Sequence, residues 1–190
     1  GAINLELEEM ESNVVGAQLG SAALTNAVKA AVIGLILIMV FMIVFYGILG
    51  VAASVALCIY STLTVAFIYW FEITLTLPGI AGIILGIGMA VDANIIMFER
   101  IKDEYRSAKS FRSAYEDGFK RSLSAILDSN ITTLIGGITL WALATGSVQG
   151  FAITLVFSVV ISLFSAIVMT RLFVNLLMPI TGEKPSLYKL

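Results

Sequence analysis

The chain has 190 residues, of which 59% are hydrophobic and 13% charged, with a formal net charge of -2. Soluble domains run at about 45–50% apolar, so this composition is that of a membrane protein. The absence of histidine excludes an imidazole relay or a His-ligated metal site, the single cysteine excludes an internal disulfide, and the charge offers no basic surface for nucleic acid.

The first twenty residues read as the end of a truncated extracytoplasmic domain and its junction. Ile3, Leu5 and Leu7 alternate with Asn4 and Glu6, the period of a half-buried strand. A lone strand is unstable, so its partners are expected upstream. Residues 21–178 form the transmembrane domain. Its first span is expected over 30–49, entered through Ser21–Lys29, and its second over 51–70, after a tight turn around Gly47 and Gly50. Cys58 lies in that second span and reads as a small buried hydrophobe.

The third span, 79–98, follows a short link. Leu77 to Phe98 reads LPGIAGIILGIGMAVDANIIMF, in which Asp92 is the only ionisable group. At ~1.5 Å rise per residue and a hydrocarbon core about 30 Å thick, Asp92 sits roughly 5 Å past the middle. An acid at that depth costs about 2.5–3.5 kcal/mol on insertion scales. Asp92 is therefore the leading candidate for an intramembrane ion relay; the competing reading is an acid that only fixes helix packing. No Lys, Arg or His lies deep in any span to pair with it, so a cationic partner has to come from another subunit. On the same helix Gly82, Gly86, Ala90 and Asn94 fall four apart, a stripe of small residues that permits close helix approach. The Asn94 amide needs a partner in hydrocarbon. Two residues from Asp92, it points a different way.

A polar segment, 99–122, comes next. Phe98, Ile101, Tyr105 and Ala108, then Phe111, Tyr115 and Phe119, recur at helical spacing, with a break over Ser107–Ser110 where Ser110 suits an N-cap. This predicts two short amphipathic helices at the membrane surface, their aromatic face packed on the bundle, lying in the headgroups or docking a partner. The fourth span is expected over 123–143. It holds Asp128 near its start, an anchor or a second relay within reach of Arg121 or Arg171, and Ser129, Asn130, Thr132 and Thr133 beside it. These polar residues either line a wet path to Asp92 or bond between helices. Gly136 and Gly137 are further packing candidates. After a turn at Thr145–Gly150, the fifth span covers about 151–178 and ends at Pro179, leaving 179–190 as a tail.

Five spans put the ends on opposite sides. Arg100, Lys102, Arg106, Lys109, Arg112, Lys120 and Arg121 fill the middle loop, Arg171, Lys184 and Lys189 lie at the C-terminal end, and only Lys29 falls on the other face. The positive-inside rule makes the middle loop and C-terminus cytoplasmic and the N-terminal segment extracytoplasmic.

These residues match a family pattern. PGIAGIILGIGMAVDANIIMFERIKDE resembles the fourth transmembrane helix and following loop of the SecD family, the membrane subunits of the bacterial preprotein translocase accessory complex. ILDSNITTLIGG and TGSVQGFAITL are similar to its next helix and turn, and VVGAQLGSAAL to the junction before its second helix. The resemblance implies an all-α membrane protein of the resistance–nodulation–division type, with five helices of a six-helix half and a short amphipathic cytoplasmic segment. It also implies a SecF-type paralogue as partner, in a parallel pseudo-repeat. Further implications are a bacterial cytoplasmic (inner) membrane location and assistance to unfolded preproteins leaving the SecYEG channel. The implied drive is a proton gradient, or a sodium gradient in some members, with no bound cofactor or metal and no enzymatic activity. The acid of the AVDAN motif, an ion-relay residue in the family, maps to Asp92, and its acidic and arginine counterparts lie in SecF. One departure is the hairpin Tyr46–Gly47–Ile48, where members often carry a basic residue. The rival readings are a SecF-like paralogue, half of a small-molecule exporter, which would carry adjacent paired acids, and a scaffold that couples nothing.

Overall fold

The structure is a computed structural model and describes residues 17–107 and 110–181. The expected strand at Ile3–Leu7, Lys109, and Lys184 and Lys189 of the tail lie outside the described residues. Six α-helices and one π-helical turn make up the described chain: α1 (Ala17–Tyr46), α2 (Ile48–Trp70), α3 (Leu77–Arg106), α4 (Phe111–Leu143), α5 (Gly146–Phe164), the π-turn Ser165–Met169, and α6 (Thr170–Thr181). The last three follow one another without a loop, so the bundle consists of five rods long and apolar enough to cross a membrane.

Helix ends follow local chemistry. Gly47 alone separates α1 from α2, with φ 58° and ψ -125°, a conformation open to glycine and costly for any residue with a Cβ. The first helix is therefore longer at its start than the expected span, since Ser21–Lys29 are helical, and it ends at Tyr46 rather than Leu49. Gly50, expected in the turn, sits instead in the first turn of α2. It is where the hairpin closes: a methyl added there would collide with the Met42 carbonyl and lie 2.8 Å from the Ile43 nitrogen. Thr76 caps α3 by accepting from the Gly79 amide at 3.1 Å, and Pro78 occupies the first turn, where its missing N–H is not needed. Gly146, at φ 60°, lets α5 begin five residues before the expected Phe151. Pro179 does not end the last helix but lies within its final turn, where the donor it lacks removes one i→i−4 bond.

The two amphipathic segments are not separate surface helices. They are continuous with α3 and α4, 30 and 33 residues long. At ~1.5 Å per residue these rods run about 45–50 Å, well beyond a hydrocarbon core of about 30 Å. Ser110 caps α4 by accepting from the Ser113 amide at 3.3 Å, as its position suggested. The aromatic face packs inward: Phe98, Ile101, Phe111, Tyr115 and Phe119 are all buried in one core. Gly118 permits this approach, since a Cβ there would lie 2.7 Å from the Ile101 Cα.

Within the bundle α3 is central. It packs most extensively on α5 and α4 and more lightly on α2 and α1. By contrast α1 is exposed along much of its length, from Val28 through Phe45. Cys58 is exposed, not buried as expected, with its thiol 3.7 Å from the Met39 sulfur.

Candidate functional site

The central helix has two chemically distinct faces. One carries Gly82, Gly86, Ala90, Asn94 and Met97, all buried. The missing side chains matter: a Cβ at Gly82 would lie 2.5 Å from the Thr154 hydroxyl, and one at Gly86 would overlap the Tyr60 hydroxyl and Ser158. The facing helix supplies a row that the sequence analysis did not single out. Thr154, Ser158, Ser162 and Ser165, spaced by four, four and three, are each no more than 3% exposed. Small residues opposite small hydroxyls let two backbones approach closely. Thr154 Oγ1 donates to the Gly79 carbonyl at 3.0 Å, and Ser162 Oγ donates to the Val159 carbonyl at 2.8 Å. Asn94 is 3% exposed. Its amide nitrogen donates to the Ala90 carbonyl at 3.2 Å, and its oxygen accepts from Thr170 Oγ1 at 2.8 Å.

The other face of α3 is open. Ala81, Leu85, Asp92, Ile96 and Glu99 are exposed along it. Asp92 lies in a groove of about 330 Å³ between α3 and α1, lined by Leu37, Ile38, Phe41, Gly88, Val91 and Ile95. That lining contains no cation and no other polar side chain. Asp92 and Asn94, about 200° apart around a regular helix, do not share a pocket.

The polar residues of α4 do not join Asp92. Asp128 is exposed on α4 and has no ion pair among the described residues. Arg121 is instead 3.0 Å from Glu104, whose side chain is 9% exposed, and Arg171 stacks 4.6 Å over the Phe119 ring. Thr132 and Thr133 hydroxyls donate to the Asp128 and Ser129 carbonyls at 3.0 and 3.2 Å. Asn130 is buried and donates to the Ile126 carbonyl at 2.7 Å. Each of these three bonds back to a carbonyl of its own helix. Gly137 does pack, its Cβ position lying 2.8 Å from Val156 Cγ2, whereas nothing lies within 4 Å of the one at Gly136. Gly136 is open because α4 turns that side away from α5.

At the opposite end of α1 the hairpin lacking its own basic residue acquires one from α3. Lys102 Nζ sits 4.3 Å from the Tyr46 ring centre and 3.1 Å from Glu99. Tyr115 ties the same end of the bundle to α6 by donating to the Arg171 carbonyl at 3.4 Å. Among the described residues no group of three or more His, Cys, Asp or Glu converges on a point that could hold a metal ion.

Residues 2–178 match the family described as protein export membrane protein SecD/SecF, C-terminal. The chain is 44% identical to the protein translocase subunit SecD of Sebaldella termitidis over 97% of its own length and 46% of that protein's. With SecD of Synechocystis it shares 43% identity over 99% of itself and 40% of the relative. It is 44% identical to SecDF of Bacillus subtilis over 93% of itself and 24% of that protein. The chain thus spans less than half the length of these relatives. Its fold matches the crystal structure of SecDF, a translocon-associated membrane protein from Thermus, with a TM-score of 0.85 and 40% identity, covering 90% of this chain and 24% of that one. A match over nearly the whole chain, shared by family and fold, assigns it plainly: this multi-pass membrane protein belongs to the SecD/SecF C-terminal family of protein export membrane proteins.

Proposed function

We propose that the chain is the membrane part of an accessory subunit of the Sec preprotein translocase, driven by an ion gradient, with Asp92 as its intramembrane relay. The observation that carries this reading is the position of Asp92. It lies near mid-membrane on the face of α3 turned out of the bundle, in a groove without any cation. A carboxylate facing lipid has a standing cost of about 2.5–3.5 kcal/mol, which a second set of helices carrying a compensating group removes. A SecF-type paralogue packed over that face supplies such a group, and the SecYEG channel and its unfolded preproteins are the wider partners. The transported ion is a proton, or sodium. Relatives named SecD and SecDF favour this over a small-molecule exporter half or a SecF-like chain.

The function is tested by depletion. Cells whose own SecD subunit is removed should regain gradient-stimulated export of a secreted reporter when the subunit carrying this chain is supplied. Export that stays at the depleted level would contradict the reading.

The orientation is part of the proposal: α3–α4 turn and C-terminus in the cytoplasm of a bacterial cell, N-terminal segment outside. In a Cys58→Ala background, cysteine at Arg106 should be protected from an impermeant thiol reagent in intact cells, and cysteine at Gln149 labelled. Both are exposed positions at opposite ends of the bundle. Labelling of position 106 from outside would reverse the topology.

A further inference from the structure

The five residues Ser165–Met169 form a π-helical turn in an otherwise α-helical rod, and no glycine or proline accounts for it. Isolated π-turns are uncommon and gather at functional sites. Here both ends of the turn are bonded to neighbouring helices. Ser165 Oγ donates to the Ala56 carbonyl of α2 at 2.7 Å, and Thr170 Oγ1 donates to Asn94 Oδ1 of α3 at 2.8 Å. Both residues are fully buried. On a regular α-helix residues five apart point about 140° away from each other, so the π-turn changes the relative direction of these two hydroxyls. The wider turn brings residue 170 over residue 165. The Thr170 amide bonds the Ser165 carbonyl, and the Thr170 hydroxyl lies 3.4 Å from the same oxygen.

Thr170 therefore has two acceptors, one on α3 and one in its own rod. The bond to α3 falls on Asn94, on the side of the helix opposite Asp92. Near the level of Asp92 the neighbouring buried positions of α3 include Ala90, Ala93 and Met97, and a polar bond at Asn94 resists rotation of the helix about its own axis more than those smooth contacts do. Rotation of α3 is the motion that changes how far Asp92 is turned into its outward groove.

We propose that Thr170 is a positioning residue for Asp92. Through Asn94 it holds α3 in the rotation that presents the carboxylate to the groove, and the π-turn allows it to release α3 by falling back on the Ser165 carbonyl. The inference rests on the reading of Asp92 as the relay.

The test titrates gradient-stimulated export by the full-length subunit in native membranes against the size of the imposed ion gradient. Thr170→Val, which keeps shape and removes the donor, should raise the gradient needed for half-maximal export about two-fold or more, the effect of one lost buried hydrogen bond. Export at saturating gradient should stay near wild type. Thr170→Ser, which keeps the donor, should restore the wild-type midpoint. A Thr170→Val midpoint equal to wild type, or a shift that Thr170→Ser does not reverse, overturns the proposal. If Thr170→Val does not accumulate, Asn94→Ala removes the acceptor of the same bond and carries the same expectations. Asp92→Asn, run alongside, separates the two readings. Uncoupled export in Asp92→Asn together with an unmoved Thr170→Val midpoint overturns the positioning role alone, whereas gradient-dependent export in Asp92→Asn overturns both.

Discussion

Asp92→Asn is expected to abolish gradient-stimulated export while leaving membrane insertion, folding and association with the partner subunit intact. The substitution keeps shape and hydrogen-bonding capacity and removes only the ability to ionise. Among the described residues nothing packs around the carboxylate in a way the amide would disturb, because the groove beside it is open and apolar. No other acid lies in the third apolar stretch, Leu77–Phe98. Asp128 is on α4, exposed, and absent from the lining of the groove. The available drive is large: one charge crossing 100 mV yields about 2.3 kcal/mol, and coupling needs that charge to be taken up on one side and released on the other as packing changes. Asp92→Glu, which retains the acid on a longer arm, should keep part of the activity. The measurement is export of a secreted reporter in cells, paired with co-purification of the partner subunit. An inactive variant that also loses its partner would point to a packing role.

Gly86→Leu is expected to disrupt the bundle. The position is buried where α2, α3 and α5 meet, and even a methyl group would overlap the Tyr60 hydroxyl and Ser158. Tyr60 and Ser158 are 0% exposed, so neither has room to withdraw. Overpacking a core costs about 1–3 kcal/mol, occasionally more, and four extra carbons at a point with no space for one belong at the upper end. The expected result is a clear fall in melting temperature in detergent, or loss of the protein from the membrane. Gly136→Leu is the control. Beyond its own stretch of helix, no atom of the described residues lies within 4 Å of its Cβ position, so it should leave the melting temperature of the chain unchanged. Equal stability of Gly86→Leu and wild type would mean that α3 and α5 do not meet as described.

Much of the architecture was legible because bilayer thickness and helical rise constrain it tightly. The five apolar stretches, the cap at Ser110 and the small-residue face of α3 follow from residue type and spacing. The exits of the helices were less legible. Lys102, Glu104 and Arg121 fall in the polar segment expected to form short helices at the membrane surface. They instead continue α3 and α4 as paired stalks, because Phe98, Ile101, Phe111, Tyr115 and Phe119 on their inner faces have a core of their own. The hydroxyl row Thr154–Ser158–Ser162–Ser165 was readable from its spacing, but isolated serines in an apolar span carry no signal until the glycines opposite them are placed. The π-turn was not readable at all. The segment FSAIVMT has ordinary helical composition, and the partners bonded at the two ends of the turn, Ala56 and Asn94, are 109 and 76 residues away in sequence from Ser165 and Thr170. Pairing of Asp128 with Arg121 failed for a related reason. The buried carboxylate of Glu104, which needs a cation more than an exposed one does, takes that arginine first.

The most direct test of the account is export into inverted membrane vesicles with an imposed gradient of protons or of sodium, applied separately, for wild type and Asp92→Asn. The account predicts that one of the two gradients accelerates export by the wild-type subunit and that neither accelerates export by Asp92→Asn. Equal acceleration of both proteins by the same gradient would contradict it.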